Sequence, residues 1–185
     1  MAAKLAIACL LMIAGCAPNT IHPIYTDQDL IFDPALLGMW VDPDSPDESL
    51  QFTAAGSKSY RLVNSDSNGV RGSFHAHLAA VAGHTFINVY PEEPDTAANE
   101  YYRSRLILTH AFLLVDSIAP ALQIRAMESD WLREYLAQHP DAIGHVEVDG
   151  VILITAPTED LQRFVLQHIA TEGAFSDPTR LIRQE

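Results

Sequence analysis

Short apolar or alternating runs separated by turn residues dominate the chain from residue 36 onward. These runs are rich in β-branched and aromatic residues, which is typical of strands. Asn68-Gly69 and Asp149-Gly150 accept the positive φ of tight hairpins, so neighbouring strands are expected to be antiparallel. The pattern predicts strands at 36–41, 49–53, 59–64, 70–80, 85–90, 104–115, 121–127, 145–148 and 151–155.

Two segments have helical spacing instead. Ser129 is expected to cap the first helix, which ends before Pro140, and Thr158 to cap the second, which ends before Gly173. The apolar positions that share a helix face are Trp131, Leu132, Tyr135, Leu136, Leu161, Phe164, Val165 and Ile169. The predicted fold class is α+β: a strongly curved antiparallel sheet, or a small half-open barrel of about eight or nine strands, with two helices.

The charge and the length of the chain limit its possible partners and its number of domains. The 185-residue chain has a formal charge of -13, so nucleic acid and anionic lipid surfaces should repel it. Its length suits one domain. We expect residues 35–185 to form a single β-rich domain, with 16–34 as a tether that partly contacts it, because several apolar residues interrupt the prolines and acids there.

The N-terminus carries a targeting pattern. Residues 5–14 form an apolar run of the length of a secretory signal, too short to span a bilayer. Ile13-Ala14-Gly15-Cys16 then resembles the lipobox of bacterial lipoproteins. The resemblance implies that residues 1–15 are removed and that Cys16 carries a diacylglycerol and an acylated amino terminus. The alternatives are an ordinary secretory signal with an incidental cysteine, or a soluble protein with an apolar start.

The resemblance also implies a location. Ala17 replaces the Asp that retains many lipoproteins in the inner membrane, so an outer-membrane anchor facing the periplasm is expected. Cys9 would be lost with the signal, leaving Cys16 as the only cysteine of the mature chain and no internal disulfide. We therefore expect the protein to bind the membrane through a covalent lipid on Cys16 and to carry no other cofactor.

A second resemblance concerns Gly38-Met39-Trp40, which is similar to the Gly-x-Trp of lipocalins and related calycin barrels. It implies a barrel closed at one end by Trp40 and a carrier of a small apolar ligand, with Trp40, Tyr90 and Phe112 as candidate ligand-binding residues. The alternative is a tryptophan that fills any β-core. The apolar strand residues could line a cavity or fill a solid core, and solid packing is the default for a domain of this size.

Histidines offer the one pattern with metal chemistry. His75 and His77 share a strand face and His84 follows the next turn, so the three could bind Zn²⁺, with Glu92, Glu93 or His110 as a fourth ligand. Histidines on a solvent-facing strand are the alternative. The acidic runs at 42–49 and 91–95 are expected to be solvated loops.

Three functions are therefore open. The leading hypothesis is a lipid-anchored lipoprotein of the cell envelope that acts as a non-enzymatic interaction or binding module, with an envelope protein as its expected partner. The alternatives are a calycin-like carrier of an apolar ligand and a metal-dependent periplasmic enzyme. No residue is assigned a catalytic role.

Overall fold

The computed structural model describes residues 17–93 and 99–184, so the predicted signal segment and Cys16 lie outside the described residues. Strands are the main element of this part of the chain. They are β1 (Asn19–Thr20), β2 (Leu30–Ile31), β3 (Gly38–Asp42), β4 (Ser45–Ala54), β5 (Tyr60–Ser65), β6 (Arg71–Val81), β7 (His84–Pro91), β8 (Ala111–Ser117), β9 (Leu122–Ala126), β10 (His145–Val148), β11 (Val151–Ile154) and β12 (Thr179–Gln184). The helices are α1 (Glu100–Arg103), α2 (Ser129–Gln138) and α3 (Thr158–His168), with a 3-10 turn at Pro34–Leu36.

Eight strands form a closed antiparallel barrel. Its order follows the chain, β3-β4-β5-β6-β7-β8-β9-β12, and β12 pairs with β3 to close it. The ninth strand, β2, pairs with β6 at Leu78 and Ala79, just beyond the stretch of β6 that pairs with β5. The predicted α+β class with a small antiparallel barrel is confirmed, and the barrel is closed because its last strand returns to its first.

The hairpin turns follow the turn residues. Asp149 and Gly150 adopt φ values of 51° and 78° between the antiparallel strands β10 and β11. Asn68-Gly69 likewise lies between β5 and β6, which are antiparallel. The local sequence thus sets these connections, because positive φ at such positions is what a tight hairpin requires.

A layer of helices and a small sheet covers part of the barrel's outer wall. The segment between β9 and β12 contains α2, β10, β11 and α3. Strand β11 pairs with β10 on one side and, in parallel, with β1 on the other. The N-terminal segment therefore belongs to the fold from Ala17 onward, and Ala17 itself is buried.

The protein has two apolar cores that share one wall. The barrel interior contains Leu36, Trp40, Leu50, Phe52, Tyr60, Leu62, Ala76, Leu78, Ile87, Val115, Leu122, Ile124 and Leu181. The second core, between the wall and the helices, contains residues such as Ala79, Phe86, Phe112, Leu114, Leu132, Leu136, Leu161, Phe164 and Val165. Successive residues of β6, β7 and β8 alternate between these cores, as side chains of a strand point to opposite faces.

Two predicted segments differ from the structure. The predicted strand at 104–115 begins only at Ala111, because Ala111 pairs with Val89 and the partner strand β7 ends two residues later at Pro91. The acidic stretch predicted as a loop at 42–49 is instead largely the start of β4, where it pairs with β3.

The helix caps also differ. Ser129 and Thr158 are the first residues of α2 and α3, and the cap positions belong to Glu128 and Pro157. The Thr158 hydroxyl instead donates to the carbonyl oxygen of Pro23 at 2.9 Å. This contact, absent from the predictions, ties α3 to the N-terminal segment. A third helix, the single turn α1, was not predicted either.

Candidate functional site

One end of the barrel is plugged by its own chain. The 3-10 turn brings Leu36 over the barrel end, and the indole Nε1 of Trp40 donates to the carbonyl oxygen of Leu36 at 2.9 Å. The Arg183 guanidinium lies 4.8 Å from the centre of the Trp40 ring, on the outer side of the same end. Phe32 stacks on Tyr60 at 4.8 Å between ring centres. These side chains occupy this end of the barrel interior.

Elsewhere the barrel interior leaves an apolar cavity of about 50 Å³. Its lining consists of Leu50, Phe52, Leu62, Asn64, Phe74, Ile87, Val89, Leu113, Leu122 and Ile124. Asn64 is the one polar residue in that set, and it is half-buried, as are Phe74, Val89 and Leu113. We call this region the barrel mouth. Its chemistry is that of apolar burial with one amide available for a hydrogen bond.

The size of the barrel mouth limits what it can hold. A cavity of about 150 Å³ is known to bind benzene, and sites for drug-sized ligands measure about 300–1,000 Å³. At about 50 Å³, the barrel mouth suits a few methyl or methylene groups. It therefore fits the end of an alkyl chain or one apolar side chain, whereas a whole small molecule would require the lining to move.

The three candidate ligand-binding residues do not share one site. Trp40 lies at the plugged end of the barrel interior, and Phe112 points out of the barrel into the second core. Tyr90 lies on the outer face as well, with its ring 4.5 Å from that of His110. The predicted grouping joined residues from opposite faces because strands β7 and β8 carry apolar residues on both sides.

The histidines separate into two places. His75 and His77 point outward from β6, whereas His84 pairs with Val81 at the far end of the β6–β7 hairpin. His77 and Val81 are four residue steps apart along the strand, a distance of about 13 Å. No group of three or more histidine, cysteine or acidic side chains within 17–93 and 99–184 is arranged to hold a metal ion. The structure does not bring the three proposed ligands together.

His77 instead belongs to a cluster that holds the N-terminal segment. Its Nδ1 lies 3.1 Å from the Tyr25 hydroxyl. The buried Asn88 accepts from the backbone N–H of Ile24 at 3.2 Å and donates from Nδ2 to Nδ1 of His110 at 3.0 Å. Since an amide nitrogen can only donate, His110 accepts at Nδ1.

The charge state of this cluster follows from its surroundings. Burial, with the neighbouring His75, lowers the pKa of His77. Burial, with the neighbouring His22 and His77, lowers the pKa of His110. Both imidazoles are therefore held neutral at pH 7, and protonating them opposes the packing of this segment on the barrel wall.

Sequence reasoning named His77 and His110, as candidate metal ligands, but missed other residues of the barrel mouth and of the histidine cluster. Val89 and Leu113 lie two residues from Ile87 and Val115, so all four share the inner face of the barrel. In a barrel, this alternation predicts that Val89 and Leu113 point inward. His22 and Tyr25 lie in the stretch predicted to be a tether, where no period points to a partner on the barrel.

Neither a family model, nor a curated protein, nor a solved structure matches the chain. Among the residues that the structure describes, no helix has the length and apolar character to cross a membrane.

Proposed function

We propose that this protein is a lipid-anchored lipoprotein of the bacterial cell envelope whose barrel is a non-enzymatic binding module. The observation that carries the binding role is the asymmetry of the barrel: Leu36, Trp40 and Tyr60 plug one end, and an apolar cavity lies among half-buried side chains. A closed barrel holds that cavity rigidly because every one of its strands has two neighbours.

The barrel mouth is matched to one apolar side chain of an envelope protein. Its lining is apolar except for Asn64, and its volume of about 50 Å³ corresponds to part of an aliphatic side chain. Burial of apolar surface contributes roughly 25 cal/mol per Å², so one inserted side chain adds a local anchor to a larger interface. The acidic charge of the chain favours a partner with a basic surface around that anchor.

Filling the barrel mouth tests this role. In the soluble form that starts at Ala17, 1-hexanol should shift methyl NMR signals of the lining residues, because its alkyl end enters the cavity. Val89→Phe should weaken this binding at least tenfold, since the larger ring occupies the space. The matched control is Val70→Phe, at an exposed valine in the turn between β5 and β6. Equal hexanol binding by the two variants would refute the site.

The anchor is proposed from the lipobox-like residues 13–16 alone. Cys16→Ser should abolish incorporation of labelled palmitate and move the protein from the membrane to a soluble or unprocessed fraction. Cys9→Ser is the control, because that residue lies in the segment expected to be removed. Palmitate labelling that persists in Cys16→Ser would contradict the lipoprotein assignment.

The second candidate is a calycin-like carrier of a small apolar ligand. The apolar lining of the barrel mouth supports it, but a whole ligand would have to push that lining apart, because the cavity measures about 50 Å³. The Gly-x-Trp resemblance is its other support, and Trp40 is buried in the barrel interior. Native mass spectrometry of the periplasmically exported chain from Ala17 separates the two functions. A co-purified apolar molecule supports the carrier, and a bare polypeptide mass supports the protein-binding module.

A further inference from the structure

Strands β10 and β11 place apolar residues on both faces of the small three-stranded sheet. Its inner face carries the buried residues Ile152 and Ile154, which belong to the second core. On its outer face, Val146, Val148 and Val151 are 46%, 60% and 52% exposed. We call the outer residues Val146, Val148, Val151 and Leu153 the valine face.

Pairing makes the valine face continuous. Val148 is directly opposite Val151, and Val146 is directly opposite Leu153. Residues opposite each other in antiparallel strands lie on the same face of the sheet, about 5 Å apart. An exposed apolar group of this kind on a soluble domain marks a surface that meets a protein or a membrane.

The described part of the chain begins at this sheet, directly after the proposed lipidation site in the sequence. Strand β1 is the third strand, and its Asn19 pairs with Leu153 of the valine face. Ala17 is buried and lines the same surface depression as Gly150 and Val151. Cys16 directly precedes Ala17 in the sequence. A lipid on Cys16 would therefore be attached one residue before the point where the described chain packs near Val151.

We propose that the valine face is the surface by which the domain lies on the bilayer, next to its own lipid anchor. This inference rests on the proposed lipidation of Cys16. Because Ala17 is packed and β1 is paired, no free tether separates the anchor from the domain. The acyl chains hold the sheet at the membrane surface, and the valines enter the interfacial region, which accepts apolar side chains.

Charge decides which lipid suits this surface. The exposed Glu147 and Asp149 lie in the same hairpin, where Arg133 donates to the carbonyl oxygen of Gly150, and the chain as a whole is strongly acidic. Neutral lipids avoid the repulsion that anionic headgroups would exert on these carboxylates. The partner is thus a zwitterionic bilayer surface, contacted through apolar burial.

The test uses lipidated protein purified from membranes and reconstituted in phosphatidylcholine vesicles. Once Cys16 carries lipid, the mature chain has no other cysteine, so Val148→Cys can be labelled alone with an environment-sensitive nitrobenzoxadiazole dye. We expect a blue-shifted emission that doxyl-labelled phosphatidylcholine quenches. Val151→Cys provides a second position should Val148→Cys fold poorly. Val70→Cys, at a valine 66% exposed outside this sheet, should stay in water and resist quenching.

The possible failures are distinguishable. Mass spectrometry first establishes whether Cys16 is acylated, and an unmodified Cys16 refutes the proposed function itself. An acylated chain whose dye at 148 is as water-exposed as at 70 overturns only the membrane-facing role. If the dye is shielded from water in detergent without lipid, and the shielding grows with protein concentration, a second copy of the chain covers the valine face. Protection confined to native membranes would mean that an envelope protein does so. Both of these outcomes overturn the bilayer assignment.

Discussion

At the residue scale, the neutral side chains of His77 and His110 help to attach the N-terminal segment to the barrel. His77 contacts the Tyr25 hydroxyl, and His110 accepts from Asn88, whose carbonyl oxygen holds the backbone of Ile24. The Nδ1 atom of His110 can accept this bond only while it carries no proton. Protonation of the buried His77 and His110 therefore opposes part of the attachment of residues 19–25, which backbone bonds between Thr20 and His110 also hold.

This dependence predicts how stability varies with pH. Burial lowers the pKa values of His77 and His110 in the folded state, whereas unfolded histidine titrates at about 6.5. Below about 6.5 the unfolded chain binds more protons, so the free energy of unfolding should be constant above that pH and fall as pH drops through the lowered folded values. Urea unfolding at pH 7.5, 6.5 and 5.5 measures this.

Two histidine variants test which side chain causes this loss of stability as the pH falls. His110→Gln should reduce the loss of stability between pH 6.5 and 5.5, because one protonation that opposes folding is removed. His84→Gln, at an exposed histidine in the β6–β7 hairpin, should leave it unchanged. Identical pH dependence in wild type and His110→Gln would contradict the assignment.

At the scale of elements, α3 fastens the N-terminal segment from the other side. The Gln162 side-chain nitrogen donates to the carbonyl oxygen of Ile24 and to Oδ2 of Asp29, both at 2.9 Å. The carbonyl oxygen of Asp29 in turn accepts from the N–H of Ala80 on β6. One side chain thus links a helix, the N-terminal segment and the barrel wall.

We predict that Gln162→Ala destabilises this link. Two hydrogen bonds, one to a carboxylate, are lost, so the free energy of unfolding should fall by about 1–3 kcal/mol. Hydrogen exchange of the Ile24 and Ala80 amides should speed up before that of the barrel strands. Gln167→Ala, at an exposed glutamine of the same helix, is the matched control and should change neither quantity. Equal effects of the two variants would contradict the role of Gln162.

The elements also show what the sequence could predict. Hairpins at Asn68-Gly69 and Asp149-Gly150 follow from local backbone preference and are confirmed. Strands β1 and β2 have two residues each, too few for any period, so residues 19–31 could not be placed on the fold.

For the site, Phe112 and Leu113 are both apolar because both sides of β8 are covered. Closure of the barrel, which the pattern leaves open, decides which of them faces inward.

At the scale of the whole molecule, the two cores share strands β6, β7 and β8. On β7, Phe86 packs against the helices while Ile87 packs inside the barrel. Neither core can lose this wall without exposing the apolar side chains of the other. The barrel and the helical layer should therefore unfold together, as small single domains generally do.

The two tryptophans of the chain report on this directly. Trp40 lies inside the barrel, and Trp131 on α2 packs against the second core. Trp131→Phe leaves fluorescence from the barrel alone, and Trp40→Phe leaves it from the helical layer alone. Each variant has its own stability, so each fluorescence transition is compared with far-UV circular dichroism of the same variant. We expect the two probes to coincide in urea in both variants, because one cooperative transition changes both environments. A fluorescence midpoint of Trp131 well below the circular dichroism midpoint would mean that the helical layer detaches first, and that the valine face, which that layer carries, moves independently of the barrel.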